Sequence, residues 1–356
     1  MQPQSQSIVG RSSQSIVVLT DRETRRLIDA LAAGVDACPI ADPDSFIREI
    51  DAVARSDAFP GRVRDALGAL FARSGGGGGV GFLVIRVPPQ SSFIGSAIDA
   101  AGIPETPSTN AEHVGARTML ARIQAAINQA AGETVAYEAE GAAALFQDMV
   151  PCRAMATRQT STGSGVELEI HTEQAFSDWR PDALSLACLR GNAEAETYVL
   201  DVETVLRNVT DAEAELMRER RWTVGVDESF LAGGKVRADR RGPVAVLSSS
   251  SSRGEESLVF DQDLMRGVDD EAEALRLKIV EIYRAERRTH VLSPGEILVL
   301  DNRRVVHGRS RFRAAYDGRD RFIVRSFVML RDAFDASERV RDVGGRRRRT
   351  ILAEFS

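Results

Sequence analysis

The chain has 356 residues, 43% of them apolar, and a net charge of −6. That apolar content supports a substantial buried core and excludes a wholly disordered chain, and the charge balance gives nucleic acid no attractive surface. No run of about 18 apolar residues is present to span a bilayer. The three cysteines, Cys38, Cys152 and Cys188, are too far apart for a disulfide framework or a zinc spacing.

In chain order, residues 1–14 are rich in Gln and Ser and read as a disordered tail without the basic start and apolar stretch of a secretory signal. The expectation is a protein of the cytoplasm. Thr20 and Glu23 form a capping box that opens a helix carrying Leu27, Ile28 and Leu31 on one face. Two more helical patterns follow near 43–55 and 60–73. The run Gly75–Gly79 lacks a following Lys-Ser or Lys-Thr and reads as a loop rather than a phosphate cradle. GFLVIRV, residues 81–87, is short, apolar and β-branched, the pattern of a buried strand.

A longer helix is expected over about 110–131, with Met119, Ile123 and Ile127 on one face and His113 on the surface of its first turn. From residue 134 onward, short apolar runs are broken by Gly, Pro, Asp and Ser, as in an antiparallel sandwich or barrel. One amphipathic helix interrupts this texture at about 269–289. Residues 336–356 read as a polar C-terminal tail, with Arg346–Arg349 as a solvated charge run.

Only four histidines are present. In VELEIHTEQAFSDWRP, residues 166–181, the apolar Val166, Leu168 and Ile170 alternate with Glu167, Glu169 and His171. If that strand continues, His171 and Glu173 share a face and can reach one ion. The pair alone is common on strand edges. A third group lies far downstream in SPGEILVLDNRRVVHGRS, residues 293–310, where a turn and a buried strand lead to His307. Two histidines and one carboxylate fit the facial triad that binds Fe(II) and leaves positions open. His290 reads as a structural residue. In YDGRDRFIVRSF, Arg321 and Arg325 share a parity opposite Phe322 and Val324, and an arginine fork beside the metal suits a carboxylate ligand, the alternative being that Arg319, Arg321 and Arg325 are exposed strand charges.

The joint stretches HTEQAF…RPDALSLACLRG and DNRRVVHGR…YDGRDRFIVRSF resemble the clavaminate synthase-like Fe(II)/2-oxoglutarate oxygenases. YEAEG, FQDMVP, DESFLA and FDQDLMRG extend the likeness to the bacterial hydroxylases of free L-lysine. The resemblance covers about residues 81–330. It implies a mainly β fold with flanking helices, a double-stranded β-helix or jelly roll. One domain would span 15–335, with helices within 20–131, the jelly-roll core at 81–87 and 134–330, and the helical insert at 269–289.

It also implies roles. His171, Glu173 and His307 would ligate Fe(II), and Arg321, assisted by Thr197, would hold the C5 carboxylate of 2-oxoglutarate, with O2 as oxidant. Arg325 would take the α-carboxylate of an amino-acid substrate, and Glu140 would lie near its α-amine. Asp261 and Asp263 match a pair that holds a cationic side-chain terminus. At i and i+2 of an extended segment they would share one face, and a buried acidic pair is costly without a cation; the alternative is that they cap the helix near 269 or face water. The implied reaction is hydroxylation of a free basic amino acid, L-lysine at C3, giving succinate and CO2. Arginine, asparagine or a carrier-tethered amino acid remain alternatives, as does a metal-free jelly-roll binding protein. Related halogenases replace the carboxylate ligand by a small residue, so Glu173 favours hydroxylation.

Overall fold

The computed structural model describes residues 6–7, 16–72, 81–88, 104–227, 230–231, 239–249, 256–331, 340–342 and 347–351. Two facing sheets form the centre. The larger runs in the order Ile16–Val18, Phe82–Arg86, Glu296–Asp301, Ala183–Arg190, Phe322–Leu330 and Gly132–Tyr137, with Gln147–Met149 also paired to Phe322–Leu330. The smaller runs Arg288–Val291, Glu196–Asp201, Val305–Arg309 and Leu168–His171. Apart from the parallel pairing of Ile16–Val18 with Phe82–Arg86, these strands are antiparallel. This is the expected jelly roll.

Apolar runs without alternation are explained by burial on both faces of the larger sheet. Phe82, Val84, Leu298, Leu300 and Ile323 point into the space between the sheets. Leu83, Ile85, Ile297, Val299 and Val324 pack instead against a helical layer. That layer comprises Asp21–Gly34, Pro43–Arg55, Gly61–Phe71 and Met119–Ala131, whose Phe46, Ile47, Leu120 and Ile123 are fully buried. Thr20 and Glu23 make the expected capping box.

Polar bolts fix this layer to the sheet. Gln124 Nε2 donates to the main-chain oxygens of Ser185 (3.0 Å) and Val324 (2.9 Å), and Asn128 Nδ2 donates to Ser326 Oγ (3.0 Å). Both bolts end on residues flanking Arg325, so the helical layer helps hold that strand in place.

Several expectations change. The helix anticipated over 110–131 is two 3-10 turns, Asn110–Glu112 and Gly115–Arg117, followed by Met119–Ala131. His113 lies between those turns with φ 51° and is partly buried, not a surface residue of a helical turn. Two short helices, Val202–Arg207 and Asp211–Arg218, lie within the β-rich half, where one helix was expected; the second is opened by a Thr210–Glu213 capping box. The expected insert is the helix Asp270–Glu286, capped by Asp269 rather than by Asp261 or Asp263.

Within the tails, Gln6–Ser7 pair with Arg288–Thr289. Arg347–Ile351 pair with Val340–Asp342 and with Ala136–Tyr137, so parts of the expected tails join the sheets. The glycine run 75–79 lies outside the described residues, as does most of 1–14.

Candidate active site

The smaller sheet brings the two distant histidines together. His307 on Val305–Arg309 pairs in register with His171, the last residue of Leu168–His171. Their ring centroids are 4.5 Å apart. The strand ends there, so alternation does not carry Glu173 to the same face. Glu173 instead occupies the following turn, next to Gln174 at φ 54°. Asn302 clamps its backbone: Oδ1 accepts from Glu173 N (2.8 Å), and Nδ2 donates to Glu173 O (3.1 Å) and Pro181 O (2.8 Å). Glu173 Oε2 thereby sits 3.7 Å from His307 Nε2.

One ligand atom from each of His171, Glu173 and His307 lies within 4.8 Å of the others. His171 Nδ1 is tied to Glu169 O at 2.9 Å, which leaves Nε2 facing the cluster. Burial, then the nearby His171 and Arg325, hold the His307 imidazolium pKa well below its ordinary value, so the ring is neutral with a lone pair available. Its Nδ1 is buried without a hydrogen-bond partner among the described residues. Two neutral nitrogen donors and a buried carboxylate suit a divalent transition metal. The trio fits the ion that the sequence implied.

A pocket of about 480 Å3, part of it open to solvent, spreads from this trio. Thr197, Arg309, Arg321, Ile323 and Arg325 line it together with His171, Glu173 and His307. The shared parity of Arg321 and Arg325 holds: both line the pocket while Phe322 and Val324 pack under the helices. Arg321 is 7% exposed and has no carboxylate partner among the described residues; burial pushes its pKa down to about 10. Thr197 is buried on Glu196–Asp201, opposite Arg309 on the neighbouring strand.

Arg325 is partnered. Its guanidinium donates to Glu173 Oε1 (2.8 Å), to Gln147 Oε1 (2.6 Å) and to Glu140. Burial opposes its charge, but the carboxylates of Glu140 and Glu173 outweigh this and raise its pKa. Glu140 also accepts from Gln174 Nε2 at 2.9 Å. Burial is the main reason its carboxyl is raised, with Arg325 opposing and Glu173 adding to the rise.

Asp261 forms an isolated β-bridge with His171, alongside the ligand strand. The segment then turns over 262–264, with Leu264 N donating to Asp261 Oδ1 at 2.7 Å. The expected extended geometry is therefore absent, because the turn separates the pair: Asp261 is half-buried and Asp263 is exposed. Burial raises the Asp261 carboxyl. Asp227 is its neighbour in charge: burial, then Asp261, Glu140 and Glu173, push its carboxyl up to about 7.

Four side chains here carried no role in the sequence reading. Asn302 and Arg309 bracket His307 in DNRRVVHGR, Gln147 lies in FQDMVP, and Asp227 opens DESFLA. Proximity in sequence to a ligand was the available signal for the first two. His290, read as structural, is buried with Nε2 2.8 Å from Glu296 Oε2, in a cluster that Arg86 completes.

Comparison with known proteins gives a consistent picture. The model of the taurine catabolism dioxygenase TauD, TfdA family matches residues 122–327. An L-lysine 3-hydroxylase of Catenulispora acidiphila is 47% identical over 251 residues, 70% of this chain and 67% of the relative. Clavaminate synthase 2 of Streptomyces clavuligerus is 27% identical over 307 residues, 84% of this chain and 88% of the relative. A crystal structure of asparagine oxygenase with Fe(II), 3-hydroxyasparagine and succinate superposes with a TM-score of 0.81, at 26% identity, over 95% of this chain and 99% of that one.

Proposed function

The chain belongs to the TauD/TfdA dioxygenase family, and from that premise we propose that it is an Fe(II)- and 2-oxoglutarate-dependent hydroxylase of a free basic amino acid, L-lysine at C3. One observation carries this reading: the trio shares its pocket with Arg321, buried without a carboxylate partner among the described residues, while Asp261, its carboxyl raised by burial, bridges the strand of His171. A dicarboxylate at one end and a dicationic amino acid at the other satisfy both imbalances.

His171, Glu173 and His307 would hold Fe(II). When bound, iron, 2-oxoglutarate and O2 supply the oxidising power that replaces a C–H bond by C–OH, with succinate and CO2 as co-products. Arg321 would take the C5 carboxylate of 2-oxoglutarate in a two-point fork, with the Thr197 hydroxyl beside it. Its burial means that little solvent competes for the anion.

Arg325 would bind the substrate α-carboxylate, exchanging part of its contacts with Glu140, Glu173 and Gln147 for that anion. Glu140, freed on one side, would take the α-ammonium. Asp261 and Asp227 would hold the ε-ammonium, with Asp263 at the rim. Burial raises the Asp261 and Asp227 carboxyls, and a cation would reverse that penalty. Anchoring lysine at both ends fixes which carbon faces the metal, which sets position selectivity. The L-lysine 3-hydroxylase relative supports C3. Asparagine would leave the Asp261 end without a cation.

No described helix is long and apolar enough to cross a membrane, and a small free amino acid with 2-oxoglutarate and ferrous iron suits a reaction in the cytoplasm. The test is anaerobic reconstitution with Fe(II) and 2-oxoglutarate, then exposure to O2 with each free amino acid. Lysine-dependent succinate and a lysine product heavier by one oxygen atom are expected. Coupled turnover with arginine or asparagine but not lysine would overturn the substrate assignment, and no coupled succinate with any amino acid would overturn the reading.

A further inference from the structure

Arg309 has no part in the roles above, yet it is only 4% exposed and lines the pocket together with Arg321. Its Nε donates to Ser310 O (3.2 Å), Nη1 to Ser161 O (3.1 Å) and Nη2 to Gly163 O (2.6 Å). All these acceptors are neutral, and no carboxylate pairs with Arg309 or Arg321 among the described residues. One aromatic ring borders both cations: the Phe312 centroid is 5.0 Å from Arg309 Cζ and 5.9 Å from Arg321 Cζ. Burial first, and then the charge of Arg321, push the Arg309 pKa down to about 9.

Two buried guanidiniums on one wall repel each other, and no carboxylate among the described residues neutralises them. A single arginine fork already meets the geometry of one carboxylate, so the second cation is surplus to direct contact. Its carbonyl bonds also fasten Ser161–Gly163, and Ser161 lines the pocket. We propose that Arg309 is a positioning residue for the distal carboxylate of the keto-acid cosubstrate: acting through Arg321, it supplies the second positive charge that makes this end select a dicarboxylate over a keto acid with an uncharged terminus. This rests on the assignment of the Arg321 end to 2-oxoglutarate.

Calorimetric titration of the anaerobic Fe(II)-loaded protein with 2-oxoglutarate and with 2-oxopentanoate, the same carbon chain ending in methyl, tests it. Arg309→Gln should weaken 2-oxoglutarate by about tenfold or more and leave 2-oxopentanoate within about twofold, because only the former carries the distal charge. Arg309→Lys, which keeps the charge but loses the fork, should stay within about threefold of wild type for 2-oxoglutarate. In turnover, the KM for 2-oxoglutarate should rise in Arg309→Gln while kcat holds.

Equal weakening of both keto acids, or a Lys variant as impaired as the Gln variant, would reduce Arg309 to a support of the 161–163 wall and overturn the proposal. Failure of the wild-type protein to prefer 2-oxoglutarate over 2-oxopentanoate would instead reject the assignment of this end. Should Arg309→Gln not fold, wild-type binding of the C5 amide, 2-oxoglutaramate, decides. A loss beyond about 100-fold supports two cations acting together, and a loss of only about tenfold, the exchange of one charged hydrogen bond for a neutral one, overturns it.

Discussion

Gly308→Ala tests whether the spacing of two strands sets the metal site. Gly308 separates His307 from Arg309, and a Cβ built on it would lie 2.7 Å from Leu168 O and 3.3 Å from Tyr283 Oη. Ordinary contact begins near 3.4 Å, so the methyl group lacks about 0.7 Å. The obstacle is a main-chain oxygen of the strand that carries His171, and a strand backbone cannot swing aside as a side chain can. The strain must therefore move one ligand strand against the other. Metal–ligand distances tolerate about 0.2 Å, several times less than the shift required. Stability should fall by only about 1–3 kcal/mol, the ordinary range for overpacking, whereas Fe(II) or Mn(II) affinity should fall by about 10- to 100-fold, as when a ligand's support is lost. Metal titration by calorimetry, alongside thermal melts in chelator, separates the two effects. A variant that melts lower yet binds metal as tightly as wild type would refute the reasoning.

Arg321→Gln should raise the KM for 2-oxoglutarate by about 30-fold or more while the lysine KM changes little, since a buried charge pair is lost at one end only; initial rates with each substrate varied in turn check this. Asp261→Asn should raise the lysine KM by about tenfold or more and spare 2-oxoglutarate, and equal losses in both would contradict its place at the ammonium. Asp148 gives a pH dependence. Its carboxylate accepts from Val114 N (2.6 Å) and Gly115 N (2.9 Å), but burial prevails and pushes its carboxyl up from 3.8 to about 6. The folded chain then binds this proton more tightly than the unfolded one, so the stability it contributes is present below about pH 4 and is lost as pH rises towards about 6. Urea midpoints across that window should fall more steeply for wild type than for Asp148→Asn, and parallel slopes would contradict the assignment.

How much of this was legible in the sequence varies with how local its cause is. The larger sheet announced itself in GFLVIRV and EILVLD, because a strand buried on both faces has no polar side to show. The helices at 202–218 were hidden: they are too short for a clear period, and their capping box sat inside a β-rich texture. His171, Glu173 and His307 come together in the fold, although the alternation offered for the first two fails. The strand stops at His171, and Glu173 is delivered by a turn and by Asn302, a clamp from a distant segment that no local pattern contains. The parity of Arg321 and Arg325 held because their strand runs regularly through both faces of packing. The Asp261–Asp263 spacing misled because it presumed an extended backbone where the chain turns.

The remaining gap has a common physical form. A carboxylate or guanidinium acquires a functional meaning from the partner it lacks, and that lack is a property of the assembled fold. Arg304 and Arg309 both flank His307 in DNRRVVHGR and look equivalent in sequence. In the fold Arg304 pairs with Glu203 on a helix, whereas Arg309 donates to main-chain carbonyls and shares its wall with Arg321. The same contrast separates Asp263, left in solvent, from half-buried Asp261 and Asp227, whose carboxyls burial raises. The pocket wall thus carries three guanidiniums, Arg309, Arg321 and Arg325, against one carboxylate, Glu173. Under the proposed function a dicarboxylate would answer those guanidiniums, and a second positive charge on the amino acid would answer Asp261, which bridges the His171 strand.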